Sequence, residues 1–560
     1  MRVLADDARY RALQRAVVAL GIALRLVEYL HNDSLWGDEA MLSLSIASRS
    51  FHQLLGPLGY GQVAPVPFLW GERLMVELLG VNEWALRLLP LIAGSALLVV
   101  VALVARRMLR PEEALVAVVL VAFSQTLIRY SAEVKPYAID ALVAVATAGA
   151  AAALLERMDS PSRWWRLAAL GAGAIVMSLT SVFVCLGMGL ALLVQALRER
   201  RMGLFPRIGL LGLAWAALYA LIYTTFYRSA ASASYMRSFW EGAFLIPGTP
   251  NLLARTRVAI GEVLWGIDPG TVLWGLGFVT LALILLGAIA LWRRGQAVYA
   301  ILLVVPGLAP FAASVVGIYP IATRLMLFVA PLSIMLAGVG MMVAGRSLHR
   351  LAPRVPTRWV LALLLLPAVS TAVAWALAHG RDQQMRPLVH SLRRRWQPDD
   401  AVYVFHRVIP AWLFYSTDWA APNLQQLAWA MEMSGPGGPS HENGPTRGPR
   451  PPGEGRELAY KLDGHRVLLG TSSGIQGRPM FGYLPRQADP GWAANESRRI
   501  HSAAYPRIWL VLGNTSYEGV DLGDDLLKGA KNSGGRLTCQ LVGEDPAAYL
   551  FDFAPGSSKC

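Results

Sequence analysis

Apolar residues along this chain fall into long blocks with few internal charges, broken by short stretches rich in Arg, Gly, Pro or Ser. Blocks long enough to cross roughly 30 Å of hydrocarbon at about 1.5 Å per residue lie at 13–30, 87–105, 114–130, 137–155, 166–181, 182–197, 208–227, 271–292, 297–316, 325–344 and 359–378. The pattern predicts about eleven transmembrane helices. Ser178, Thr180 and Ser181 are the only mark of a turn between the fifth and the sixth. Residues 31–86 and 228–270 are long connections: the first holds two short amphipathic runs that predict helices lying along the membrane surface, and the second is rich in Tyr, Trp, Gly and Pro. Past the last span, β-prone runs at 401–405, 466–469, 507–512 and 548–553 predict a small α/β domain. The chain thus divides into a membrane domain, 1–379, and a C-terminal α/β domain, 380–560, with a Gly/Pro-rich insertion at 434–456 expected to be disordered.

Composition agrees with this division. Of 560 residues, 55% are hydrophobic and 16% charged, against about 25% charged in a soluble domain, and the mean hydropathy is +0.42. A disordered chain, a disulfide scaffold and an ordinary cytosolic enzyme are excluded. The net charge of +14 suggests a polyanion partner until its distribution is read: residues 1–379 carry +12 and residues 380–560 only +2. The surplus sits among the apolar blocks, where basic residues orient helices in the bilayer, so nucleic acid is not an expected partner. Cys185 lies in an apolar run, while Cys539 and Cys560 fall in the tail and are either bridged or free thiols.

Eleven spans place the connections alternately on two sides. The N-terminus and the connections holding Arg106/Arg107/Arg110, Arg157/Arg163/Arg166, Arg198/Arg200/Arg201/Arg207, Arg293/Arg294 and Arg346/Arg350/Arg354/Arg358 carry 20 of the 31 basic residues, all on one side. By the positive-inside rule that side is cytoplasmic and the C-terminal domain is extracytoplasmic. With an Arg/Ala-rich composition, the expectation is a multi-pass protein of a bacterial inner membrane. Arg25 and Glu28 interrupt the first block, so it is read as a retained helix rather than a cleaved signal, with the two forming an ion pair three residues apart.

Carboxylates at the rim of a membrane are costly unless they find partners or do chemistry. Two places qualify, both on the outer side: Trp36-Gly37-Asp38-Glu39-Ala40 after the first span, and Tyr130-Ser131-Ala132-Glu133-Val134-Lys135-Pro136-Tyr137 between the third and fourth. Pro136 restricts Lys135 and holds this connection extended or turned, which is expected to expose Glu133 and Lys135. Asp140 follows one turn into the next helix. Lys135 is the only lysine before residue 380 and suits a phosphate as a compact point charge. Arg324, in Tyr319-Pro-Ile-Ala-Thr-Arg324-Leu, is either a third cation of the same site or an interfacial anchor. Asp38 is equally readable as the N-cap of a surface helix.

The Asp38-Glu39 pair after the first span, the Glu133-x-Lys135-Pro136-Tyr137 connection before the fourth, the late Arg324-Leu-Met-Leu-Phe-Val-Ala-Pro and the tail opening Pro398-Asp-Asp-Ala-Val-Tyr-Val together resemble the GT-C membrane glycosyltransferases. The similarity is to the protein O-mannosyltransferase and lipid A aminoarabinose transferase group, and covers roughly residues 10–410. The resemblance implies transfer of a sugar from a polyprenyl-phosphate carrier to an acceptor hydroxyl at the extracytoplasmic face, with inversion. The acceptor is a glycan, a lipid or a protein. Carried onto this chain, Asp38 is the general base, and Glu133 orients a sugar or shares that role. Lys135, Arg324 and Arg129 hold the donor phosphate. Glu39, Tyr137 and Asp140 are expected to contact substrate, Glu39 alternatively binding a metal or acting as the acid of a helix N-terminus. No cofactor is assigned; some relatives use a divalent metal, but His31 and His52 form no ligand pattern with Glu39 or Glu72.

The rival reading from another class is a transporter or flippase of lipid-linked sugars, which would carry internal repeats and ionisable residues at the bilayer midplane. An oligosaccharide polymerase or ligase would share the outer site. The tail either covers a substrate there or only stabilises the fold.

Overall fold

The computed structural model describes residues 2–228, 234–377, 383–435, 458–471, 492–502, 505–517, 520–541 and 545–553. Nearly all of the predicted insertion at 434–456, and Cys560, lie outside the described residues. Cys539 is disulfide-bonded and Cys185 is a buried free thiol.

Each predicted apolar block is helical: Arg2–Leu30, Glu83–Met108, Pro111–Ala122 with Gln125–Arg129, Tyr137–Leu155, Pro161–Met177, Ser181–Arg198, Phe205–Ile222, Gly277–Arg293, Ala297–Val315, Ala330–Leu351 and Thr357–Leu377. Among the described residues seven helices are long and apolar enough to cross a membrane by themselves, and a bent pair makes eight. Gly277–Arg293 is apolar but shorter, and the first helix carries Arg15, Arg25 and Glu28 within its apolar part. Large side chains such as Leu103, Leu210, Phe278 and Leu363 remain exposed on outer faces, where lipid tails replace water. The fifth and sixth spans are separate helices; Ser181 Oγ donates to Ser178 O at 2.7 Å across the turn.

Two expectations about these helices need correction. The third block is not straight: Pro111–Ala122 and Gln125–Ala132 meet at a 56° bend, where Ser124 Oγ accepts the Leu127 N–H at 3.4 Å and starts the second piece. Arg25 does not pair with Glu28. It donates to Gly21 O at 3.0 Å and Val121 O at 3.2 Å, and the second is a carbonyl at the end of the broken helix. Glu28 instead accepts the Trp375 indole N–H at 2.9 Å. The Val121 carbonyl, at the end of the broken helix, is left without a helical N–H, and the Arg25 guanidinium satisfies it.

Helix packing relies on close approach. A Cβ added to Gly340 would lie 1.9 Å from Leu283 O, and one added to Gly287 would lie 2.0 Å from Leu336 O. Helices Gly277–Arg293 and Ala330–Leu351 therefore touch backbone to backbone, the small-residue solution to packing in lipid.

The C-terminal domain contains a six-stranded sheet. Its strands are β1 (Asp400–Val404), β2 (Ala459–Leu462), β3 (His465–Leu469), β4 (Arg507–Leu512), β7 (Arg536–Leu541) and β8 (Ala547–Asp552), in the order β2-β3-β1-β4-β8-β7. β1 is central and pairs in parallel with β3 and β4, and all five of its residues are buried. A separate pair, β5 (Ser516–Tyr517) and β6 (Val520–Asp521), precedes helix Leu522–Asn532.

This domain shares one apolar core with the first long connection. Leu35, Leu44 and Phe68 belong to the same buried cluster as Val402, Trp412 and Trp509. The two predicted surface helices, Gly37–Ser48 and Val66–Leu79, are present, and the first packs against helix Ile409–Ser416. Polar ties reinforce the seam: Gln383 Oε1 accepts the Gly37 N–H at 2.8 Å, Tyr415 OH accepts the Leu35 N–H at 2.6 Å, and Arg386 meets Glu83 at 2.7 Å. The start of helix Gly37–Ser48, which carries Asp38 and Glu39, is thereby held between bundle and sheet.

Candidate active site

Asp38 lies in the first turn of helix Gly37–Ser48, but Trp36 occupies the N-cap position, so the capping role does not apply. Its carboxylate is instead claimed from three sides. Arg324 donates to Oδ2, Lys135 Nζ lies 3.4 Å from Oδ1, and Gln62 Nε2 donates to Oδ1 at 3.4 Å. Lys135 also donates to Gln62 Oε1 at 2.6 Å, closing a ring of Asp38, Lys135 and Gln62. Three stretches of chain separated by 97 and 189 residues thus meet at one carboxylate. Burial by itself would push the Asp38 carboxyl up, yet Arg324 and then Lys135 outweigh it and hold it below the usual aspartate range. Burial lowers the Lys135 ammonium, a loss that Asp38 partly restores.

The connection between the third and fourth spans is buried rather than exposed. Glu133 is 0% and Lys135 5% accessible, because the first long connection folds over them. Glu39 explains how. It is itself fully buried, binds Arg87 through both oxygens at 3.0 and 2.7 Å, and accepts the Val134 N–H at 2.9 Å between Glu133 and Lys135. With the Trp36 N–H also on Oε2 at 3.4 Å, its oxygens are engaged. Glu39 is thus the acid of this helix's N-terminus, the alternative read from the sequence, and no oxygen is left for the expected substrate contact or metal; among the described residues no three His, Cys, Asp or Glu side chains could hold a metal together.

Glu133 faces Arg129, whose Nε is 3.6 Å away, but its oxygens make no hydrogen bond among the described residues. Burial raises its carboxyl above the ordinary glutamate range, with Glu39 and Asp38 adding to the rise against Arg129. Arg129 leans over the rings of Tyr130 and Trp375 at 5.8 and 5.9 Å, and Tyr137 meets Tyr130 edge-on at 5.3 Å. Asp140 stands apart: it is buried beside Ser178, at the turn between the fifth and sixth spans, with no contact to Asp38, Lys135 or Arg324 among the described residues.

Arg324 is not an outward-reaching anchor. Its guanidinium stacks over Trp240 at 5.2 Å, it points inward to Asp38, and its Nε has no hydrogen-bond partner among the described residues. The preceding Thr323 is fixed by Glu262 in helix Leu252–Ile267, whose carboxylate accepts the Thr323 N–H at 2.8 Å and hydroxyl at 2.5 Å. Gln62, Arg87 and Glu262 were not singled out by sequence reasoning. The cue available for Arg87 was a cation at the outer start of a span; nothing in the linear pattern marks Gln62.

A bundle of long apolar helices with clustered carboxylates and cations under an α/β domain is the GT-C architecture, and the chain is a multi-pass membrane protein of that fold. The family model for dolichyl-phosphate-mannose-protein mannosyltransferase matches residues 63–223, a segment containing Glu133 and Lys135 but neither Asp38 nor Arg324. The structure of ArnT from Cupriavidus metallidurans is similar in the apo state (13% identity, TM-score 0.51) and bound to undecaprenyl phosphate (15%, 0.50), with 96% of this chain and 98% of that one covered. Archaeal oligosaccharyltransferase AglB from Archaeoglobus fulgidus, in complex with an inhibitory peptide and a dolichol-phosphate, is similar at 12% identity and TM-score 0.51 over 96% of this chain and 74% of that one. A second oligosaccharyltransferase structure from the same organism, complexed with zinc and sulfate, aligns at 16% identity and TM-score 0.44; 71% of this chain spans only 60% of it. No curated protein sequence matches the chain. In fold, and in the matched segment, the chain resembles the GT-C membrane glycosyltransferases.

Proposed function

We propose that this chain transfers a sugar from a polyprenyl-phosphate-linked donor to an acceptor hydroxyl, with inversion, at the extracytoplasmic membrane face beneath the α/β domain. The observation that carries this reading is the Asp38 carboxylate held between Lys135 and Arg324. A base and two phosphate-binding cations side by side are what displacement of a phosphate by a hydroxyl requires. The similar ArnT has been solved with undecaprenyl phosphate bound and the similar AglB with a dolichol-phosphate, which supports the same class of donor here.

In this reading Asp38 accepts the proton of the acceptor hydroxyl as its oxygen bonds to the anomeric carbon. The bond from that carbon to the phosphate oxygen breaks, and polyprenyl phosphate leaves with the electron pair, its charge met by Lys135 and Arg324. Without a donor both cations hold down the basicity of Asp38. A phosphate that draws them away restores it, so the base is strongest when the leaving group is in place. Glu133 acts as an anion that orients a sugar hydroxyl, and Arg324, held over Trp240, is aimed at the phosphate.

The test is transfer itself. Purified protein in vesicles is given a radiolabelled undecaprenyl-phospho-hexose and an envelope lipid extract. Free undecaprenyl phosphate is expected to appear as label enters a new product. Movement of intact donor across the bilayer without cleavage would place the chain among carriers instead.

A pH profile follows from Glu133. Because its folded pKa is raised, the folded protein keeps a proton that the unfolded chain has lost between the ordinary glutamate value and the raised one. Any stability from this group is present below that window and is lost as pH rises through it. If the ionised form orients the sugar, kcat/KM climbs through the same window. Glu133→Gln is expected to lower the rate and remove that limb, leaving the lower one of Asp38; an unchanged profile would exclude Glu133 from the reaction.

A further inference from the structure

At the end of the bundle opposite Asp38, two cavities adjoin the last turns of helix Glu83–Met108. The first, of about 530 Å³, is lined by Arg11, Gln14, Arg106 and Arg107. The second, of about 360 Å³, is a groove between this helix, Tyr137–Leu155 and Pro161–Met177, with an apolar floor including Val104 and Ala150 and with Arg163 and Arg166 at its rim. Leu103 and Arg107 line both.

Among the described residues no acidic side chain lines the first cavity. Glu156 is bonded to Arg107 at 3.0 Å and to Arg163 at 3.3 Å. The acids that follow Pro111 are engaged outside the cavity, Glu112 with Arg346 and Glu113 with Arg294. Arg106 has no ion pair among the described residues. Gln14 is 3% exposed and lines this cavity, yet its Nε2 has no hydrogen-bond partner among the described residues. An amide N–H₂ group can only donate, and a buried donor without an acceptor is costly. The group that would satisfy it beside the guanidinium of Arg106 is an acidic oxygen. The adjoining groove has a largely apolar lining, which calls for an apolar tail on the same molecule.

We infer that this end of the bundle binds an anionic diacyl phospholipid, its phosphodiester held by Arg106, Arg107 and the Gln14 amide and one acyl chain lying in the groove between the three helices. The distribution of arginines puts this end in the cytoplasmic leaflet, where acidic lipids gather juxtamembrane cations. The site is separate from the Asp38 cluster and does not depend on the reaction proposed for it.

The test is native mass spectrometry of the full chain released from nanodiscs of equal phosphatidylglycerol and phosphatidylcholine with identical acyl chains. The wild type is expected to retain phosphatidylglycerol in preference. Arg106→Gln should reduce the preference about fivefold, the loss of one juxtamembrane arginine, and Gln14→Leu, which changes no charge, should reduce it too. Arg350→Gln, an exposed arginine of the same end outside the cavities, should leave it unchanged. Each ratio is internal to one variant, so a lower folded yield does not affect it. Equal retention of the two lipids by wild type, a preference that survives both cavity variants, or an equal loss in Arg350→Gln would overturn the inference. Thermal stabilisation by inorganic phosphate equal to that by phosphatidylglycerol would make the site one for a free anion and also overturn it.

Discussion

Asp38→Asn is expected to lower the transfer rate by about 10²–10⁴-fold, the range over which a positioned general base contributes, without weakening donor binding. The two side chains have nearly the same shape, so Gln62 and the start of helix Gly37–Ser48 keep their places. What disappears is the proton acceptor and one negative charge between Lys135 and Arg324. Those cations are then no longer balanced by a carboxylate, and a donor phosphate meets no competitor for them. The expected signature is a collapse of kcat with an unchanged or lower dissociation constant for undecaprenyl phosphate, measured by titration on the purified variant. Turnover within tenfold of wild type would remove Asp38 from the role of base. A rate loss accompanied by equally weakened donor binding would make it a phosphate-site organiser instead.

Arg87→Met carries the largest expected effect on stability. Arg87 and Glu39 are both buried, and the pair is fully hydrogen-bonded. Taking away one partner leaves an uncompensated carboxylate in the interior, a loss of about 3–5 kcal/mol. Because Glu39 also holds the Val134 N–H, the connection bearing Glu133 and Lys135 loosens with it. Thermal inactivation in detergent is expected to be much faster than for wild type. Adding Glu39→Gln should recover part of the stability, since the stranded charge is gone, but not the transfer rate. A single variant as stable as wild type would show that the pair contributes nothing to holding the two stretches together.

The bundle was legible because its signal is local. A run of apolar residues near twenty long has few alternatives to a helix when no water is present to satisfy the backbone, and all eleven blocks fall on helices, though the first helix begins at Arg2 and the tenth runs on to Leu351. The break at Phe123–Ser124 was not legible, since Ser124 reads as one polar residue in an apolar block and only the Arg25 guanidinium from another helix reveals what its opening satisfies. The burial of Glu133 and Lys135 was missed for a similar reason: the turn at Pro136 is local, but what covers it comes from residues around 39 and 62.

By itself the sequence determined that this is a multi-span membrane protein with an α/β tail, and which acidic and basic residues flank its spans. Hydrophobic length and charge asymmetry depend on chemistry within a short window, so no fold is needed to read them. Which of those residues meet was decided only by tertiary structure. Asp38, Lys135 and Arg324 converge while Asp140 does not, and Glu39, adjacent to Asp38 in the chain, turns away to bind Arg87. Neighbouring residues on a helix point about 100° apart, so two carboxylates side by side in sequence were bound to face different surroundings, and only the packing of distant segments around them sets one against Lys135 and Arg324 and the other against Arg87.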